Sequence, residues 1–231
     1  MEELEQIRMQ VQTMGEITLD FVAAAVDSLV GLNADTAKNI RRSEKEMDKL
    51  YSKLDETCIT IIATQQPVGR HLRFLISSLK IASELERIAD YANNIAKRVQ
   101  KKMPKADLVN YTTAMVTIKN MSDIASNMLH KSLTAYQNND ATTIDGIVMQ
   151  IDAVNDFKRK LLQEISSVSI ANGNCRTLLE LHTSIRYIKR VADRAINICE
   201  SVFYIETGYY YAKKCNTVKI VENCQSIKEL V

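Results

Sequence analysis

Six residues in the first half of the chain, Leu85-Glu86-Arg87-Ile88-Ala89-Asp90, with Asn94 one turn on, return in the second half as Ile188-Lys189-Arg190-Val191-Ala192-Asp193 with Asn197. Each copy follows another acidic pair at the same i, i+4 spacing, Glu44 with Asp48 and then Asp152 with Asp156. Other landmarks recur in order, Met14 with Met121, Asp35 with Asp140 and Asp48 with Asp156. A long repeat of this kind requires a fold made of two similar units, each presenting carboxylates one helical turn apart.

Breakers are sparse, so the helices can be counted from the stops between apolar stripes. The first half reads as Ile7 to Leu32, Thr36 to Thr64 and Arg70 to Val99, punctuated by Asn33-Ala34-Asp35, Gln66-Pro67 with Gly69, and Met103-Pro104. The second reads as Leu108 to Tyr136, Ala141 to Val168 and Cys175 to Thr207, with stops at Asn138-Asn139-Asp140 and Asn172-Gly173-Asn174. Long helices with one apolar stripe and short connections must pack antiparallel. The expected fold is all-α, two tandem antiparallel three-helix bundles packed side by side, over 1–103 and 104–207. The segment 208–231 is expected as a tail with a short amphipathic helix, from the spacing of Val218, Val221, Cys224, Ile227 and Val231.

Composition agrees: of 231 residues, 46% are apolar and 25% charged, with six Gly and two Pro, which leaves room for a core and little for loops. The net charge of +2 supplies no global field for nucleic acid, so no nucleic-acid partner is expected. No apolar run is long enough to span a bilayer and the first residues are acidic, so a cytoplasmic protein is expected, at the membrane only through partners. Five scattered cysteines without CxxC spacing suggest neither a disulfide framework nor a zinc ribbon. His71, His130 and His182 lack metalloprotease spacing.

The acidic pairs carry the chemistry. On the third helix Ile81, Leu85, Ile88, Ala92, Ile95 and Val99 mark the buried face, which turns Glu86 and Asp90 outward toward a groove or surface. On the second helix Glu44, Asp48 and Asp55 share one flank while Lys45, Lys49 and Lys53 form a separate row. Like charges at i, i+4 repel, and an ordinary solvated face alternates its signs. If Glu44, Asp48, Glu86 and Asp90 converge they need a counter-ion, and all-oxygen ligands suit hard cations such as magnesium, manganese or iron. The plainer reading is a solvated face in which Arg87 pairs with Asp90. Asn94 and Asn197 are possible accessory ligands, since an amide oxygen can coordinate or orient a water.

With these residues assembled, the chain resembles the PhoU family of phosphate-uptake regulators. Met14-Gly15, Gln66-Pro67-Val68, Leu72-Arg73, the Leu85 to Asp90 block, Asn94-Ile95-Ala96 and Tyr204 to Gly208 carry the resemblance. It implies metal ions, divalent or trivalent (iron, manganese, magnesium or zinc), bound by acidic pairs on the second and third helix of each bundle. The first site would be Glu44, Asp48, Glu86 and Asp90. The second would be Asp152, Asp156 and Asp193, weakened because Lys189 stands where the family has a glutamate. That lysine removes a ligand, adds a positive charge, and can pair with Asp193 instead. His71 also replaces an acid usual in the family before Leu72-Arg73.

The resemblance further implies a non-enzymatic adaptor that contacts the ATPase subunit of a phosphate ABC transporter and a phosphate-sensing histidine kinase, as a homodimer, and damps phosphate uptake and phosphate-regulon signalling. Three other readings compete with it: an accessory module of a sodium–phosphate symporter, a metal-dependent hydrolase, and a ferritin-like di-iron oxidase. The hydrolase lacks a general acid or histidine near the acid pairs, and the oxidase lacks its two Glu-x-x-His pairs. Arg70, Arg73 and Arg98 are candidates for a basic patch near the bundle end, or for plain solvated surface.

Overall fold

The computed structural model describes residues 2–31, 34–101, 109–172, 175–212 and 219–221; for 34–39, 41–44, 101, 109, 172, 212 and 219–221 it describes the backbone alone. Within these residues run α1 (Glu2–Gly31), α2 (Ala34–Gln65), α3 (Gly69–Lys101), a 3-10 turn (Val109–Tyr111), α4 (Thr112–Asn138), α5 (Ile144–Val148), α6 (Gln150–Asn172) and α7 (Cys175–Thr207). The helical bundles expected from the repeat are present. The boundary placed at 103 and 104 lies outside the described residues.

Every residue of the apolar stripe predicted for α3 is buried. Small residues bury a second side of the same helix, Ser78, Ala82, Ala89 and Ala96, so backbones can approach closely there. In the first unit α1, α2 and α3 pack together; in the second, α4, α6 and α7. The units join where α3 lies along α7 and α1 along α4. At the α1–α4 crossing a Cβ on Gly15 would stand 2.6 Å from Leu133 Cδ1, so that position needs a residue without a side chain or a displaced leucine. One continuous apolar core runs through both units.

The helix ends follow the stops in the sequence. Gln66 (φ 48°) and Gly69 (φ 59°) bracket the turn into α3. Asn139 takes the left-handed conformation after α4, and the Asp140 amide donates to Ala135 O at 2.9 Å. Gly208 does the same after α7, with φ 77° and its N–H on Tyr204 O at 3.0 Å.

Two elements depart from expectation. The single helix predicted from Ala141 to Val168 is two, α5 and α6, parted at Met149. It also starts later, because Asp140 Oδ1 accepts from the Thr142 amide (2.8 Å) and hydroxyl (2.6 Å), which holds residues 140–142 in a turn. In the tail, β1 (Tyr210–Ala212) pairs antiparallel with β2 (Lys219–Val221), so Val221 is in a strand where an amphipathic helix was expected. The remaining positions of that expected helix, Val218, Cys224, Ile227 and Val231, lie outside the described residues. No helix among the described residues is long and apolar enough to cross a membrane.

Candidate functional site

The first acidic set is divided between α2 and α3. Glu86 and Asp90 stand one turn apart on α3, half-buried and turned away from the core stripe, and both interact with other groups. Asp48 is exposed on α2, and the side chain of Glu44 lies outside the described residues. Asn94 follows Asp90 by a turn and is half-buried.

Asn93 is the residue that sequence reasoning missed on this face. It is 1% exposed, and neither its Oδ1 nor its Nδ2 has a hydrogen-bond partner. Seven residues after Glu86, it falls within about 20° of that carboxylate around the helix. The matching position in α7 is Ile196, so the signal was an amide in one half where the other half has a core aliphatic. Two carboxylates one turn apart, with a buried amide whose oxygen is unmet one turn beyond Asp90, are oxygen donors of the kind that suits a hard cation.

The second set does not fit one. Asp152 and Asp156 are exposed on α6, and Arg159 pairs with Asp156. On α7, Lys189 Nζ donates to both carboxylate oxygens of Asp193 at 2.5 and 2.7 Å, so the lysine is the counter-ion. Asn197 is turned to the other unit, donating Nδ2 to Glu84 Oε1 at 3.2 Å. Among the described residues no three His, Cys, Asp or Glu side chains come together where they could hold a metal ion; Asp48, Glu86 and Asp90 of the first set and Asp152, Asp156 and Asp193 of the second are all described. His71 is exposed in the first turn of α3, fifteen residues and about 22 Å before Glu86.

The arginines proposed as a patch instead tie the units together. Arg70 pairs with Glu206 at 2.7 Å, Arg73 donates to the Ile205 carbonyl at 3.2 and 3.3 Å, and Arg98 pairs with Glu180. Arg98 is twenty-eight residues beyond Arg70, about 42 Å along the helix, so the three share no patch. Between these ends Arg194 reaches Glu84 at 3.0 Å, Tyr91 stacks on Tyr187 at 5.6 Å between centroids, and Arg190 covers both rings. A seam held this way at both ends and in the middle keeps α3 and α7, and the acidic turns they carry, in a constant relative position.

Comparison with known proteins identifies relatives of both helical units. A family model described as the PhoU domain matches residues 11–99 and again 118–202. The phosphate-specific transport system accessory protein PhoU of Escherichia coli (strain K12) is 28% identical over 209 residues, which is 89% of this chain and 84% of that protein. A PhoU homolog from Zymomonas mobilis is 30% identical over 90% of this chain and 86% of its own length. The crystal structure of PhoU from Pseudomonas aeruginosa superposes with a TM-score of 0.80 at 25% identity, covering 90% of this chain and 98% of that one.

Proposed function

Because the chain belongs to the PhoU family, we propose that it is a cytoplasmic accessory regulator of a phosphate-specific transport system, an adaptor between the ATPase subunit of the transporter and a phosphate-sensing histidine kinase. In this role it performs no chemistry of its own and lowers uptake and phosphate-dependent transcription when phosphate is plentiful. The single observation that carries the reading is the extent of the match: relatives named for that transport system align over nearly nine-tenths of the chain, through both helical units. The reading includes a homodimer, testable by sedimentation.

The acidic face of the first unit is the regulatory element. Glu44, Asp48, Glu86 and Asp90 would hold a cation, with the amide oxygens of Asn93 and Asn94 beside them. When bound, the ion supplies the positive charge that lets these carboxylates stay close together. The chain's own part is to hold α2 against α3, keep the core stripe of α3 buried, and brace that helix through Glu84, Arg98 and their partners on α7. A face fixed in this manner presents one geometry to a partner. In the second unit Lys189 replaces the cation, so that unit is read as a constant support.

Deleting the gene and following phosphate uptake and phosphate-regulated transcription tests the regulatory role. Loss of repression at high phosphate is the expected result, and unaltered transport and transcription would overturn it. Replacing Glu86 and Asp90 by Ala tests the site, with metal content from elemental analysis expected to fall while the helical signal in circular dichroism stays. Metal retained at the wild-type level in that variant removes these residues from the ligand set.

A further inference from the structure

The duplication lets α7 be read against α3 at one offset, Leu85 to Ile188 and Asp90 to Asp193. Residues 76–94 of α3 carry two cations, Lys80 and Arg87, against three carboxylates, Glu84, Glu86 and Asp90. The matching residues 179–197 of α7 carry four cations, Arg186, Lys189, Arg190 and Arg194, against two carboxylates, Glu180 and Asp193. Packing does not demand this excess, because α3 builds an equivalent helix with Leu79 and Ser83 where α7 has His182 and Arg186.

Some of the charge is spent inside the molecule. Glu180 holds Arg98, Glu84 holds Arg194 at 3.0 Å, and Asp193 holds Lys189 through both oxygens. Arg186 and Arg190 are exposed, and neither pairs with a carboxylate among the described residues. Arg190 is nevertheless held in place, 5.6 and 5.8 Å from the ring centroids of Tyr91 and Tyr187, with its N–H donors unspent. Glu84 meets Arg194 and Tyr91 meets Tyr187, so the antiparallel register puts Arg87 level with Val191, one residue from Arg190. Arg87 is 52% exposed and lies 3.9 Å from a Glu84 carboxylate that already holds Arg194.

His182, Arg186 and Arg190 follow one another at i, i+4 and i+8, a diagonal row about 12 Å long that ends at the α3 seam beside Arg87. Burial holds the His182 imidazole below its usual range, and the two charges that act on it, Arg186 and Lys158 of α6, are both positive. One small oxyanion fills a single guanidinium fork, so a row of this length matches a ligand with several anionic groups about a helical turn apart. Nucleic acid is disfavoured, since Tyr91 and Tyr187 stack on each other at 5.6 Å and Arg190 covers both, leaving no platform for a base. An anionic bilayer is disfavoured as well, since Leu179 is the one large apolar side chain exposed on 179–197 and the adjoining α6 exposes Asp152 and Asp156.

We propose that Arg87, Arg186 and Arg190 form a docking row for an acidic helix of a partner protein, with Asp or Glu side chains at i, i+4 spacing seated on the guanidinium forks. The proposal deepens the adaptor reading and rests on it, supplying the surface through which the chain would meet a partner.

The test titrates the full chain into a fluorescein-labelled, alanine-based helical peptide of about 18 residues with Glu at every fourth position, read by anisotropy. The same peptide with Gln for Glu is the control. The expected result is saturable binding of the Glu peptide that weakens as salt rises, and none of the Gln peptide. Arg186→Glu with Arg190→Glu is expected to weaken binding about tenfold or more. Lys131→Glu with Lys160→Glu makes the same change in net charge at exposed positions away from the row, and is expected to leave binding within about twofold. If the arginine double variant fails to fold, Arg186→Gln, at an exposed position without a partner among the described residues, carries the test with an expected loss of about threefold. No saturable binding to about 1 mM, equal binding of the Gln peptide, or equal losses in the two double variants overturns the proposal. Binding to phosphatidylglycerol vesicles through these arginines without binding of the peptide assigns the row to lipid and overturns it too. Failure here, while deletion of the gene still releases phosphate-dependent transcription, removes the docking row and keeps the adaptor role.

Discussion

Lys189 Nζ lies 2.5 and 2.7 Å from the two carboxylate oxygens of Asp193, one turn along α7, at the place where α3 presents Glu86 and Asp90. Two turns of helix at matching places in the repeat thus differ by two units of charge. Replacing Lys189 by Glu gives α7 the charge pattern of α3, and the expected outcome is a higher cation content per chain by elemental analysis. The pair is partly exposed, so its own contribution is below about 1 kcal/mol and the melting temperature is expected to change little. Cation content equal to that of the unaltered chain would remove the argument that Lys189 is what separates the two units.

Much of this architecture was legible because helices punctuated by Pro, Gly and Asn are local features, and the core stripe of α3 is a matter of period. The register between the units was not. Arg70, Arg73 and Arg98 look alike as sequence, and only the antiparallel fit of α3 on α7 places their partners at Glu206, Ile205 and Glu180. The strand at 219–221 was hidden because Val218, Val221 and Cys224 satisfy a helical spacing by themselves, while pairing with Tyr210–Ala212 is decided by contact. Asn93 escaped notice beside Asn94, since polarity alone does not say which of two adjacent amides is buried.

Tyr136 and Ser78 make a buried hydroxyl pair at 2.7 Å across the two units, under a Phe74 ring stacked on the tyrosine at 5.7 Å between centroids. Ser78→Ala leaves the phenol without a partner and is expected to cost about 1–3 kcal/mol in urea unfolding. Tyr136→Phe in the Ser78→Ala background removes the orphaned group and is expected to recover part of the stability lost in Ser78→Ala. A double-mutant cycle with no coupling would show that the pair contributes nothing beyond its shape.

Burial pushes the Cys58 and Cys199 thiols up to about 12, and nearby Asp55 and Glu200 add to the effect. Cys175 is exposed. Since the thiolate is the nucleophile, alkylation at pH 8 mapped by mass spectrometry is expected at Cys175, with Cys58 and Cys199 protected until the protein unfolds. The sign of the stability effect follows from the same shift. A thiol whose folded value is raised from 9.0 to about 12 binds its proton more tightly in the native state, so its contribution is complete below pH 9 and is lost as pH rises from 9 toward 12. Replacing both thiols by Ala is expected to flatten the fall in stability across that window, measured as the urea midpoint against pH.

Arg8 on α1 donates to the Tyr136 carbonyl at 2.6 Å, the Gln137 carbonyl at 3.1 Å and Asn139 Oδ1 at 3.0 Å, and its guanidinium lies over the Phe74 and Tyr136 rings. It thereby closes the C-terminus of α4, supplying hydrogen-bond donors and a positive charge where the helix leaves bare carbonyls. Its side chain is 16% exposed, so water does not replace those bonds cheaply. Arg8→Met keeps the packing of the stem and removes the donors, with an expected loss of about 2–3 kcal/mol. Faster amide exchange is expected at Asn139 and Asp140, whose N–H groups bond back into the last turn. Arg70→Met removes an ion pair with Glu206 in which the arginine is 53% exposed, and is expected to cost under about 1 kcal/mol. Equal losses in the two variants would mean that capping by Arg8 is no stronger than a solvated ion pair.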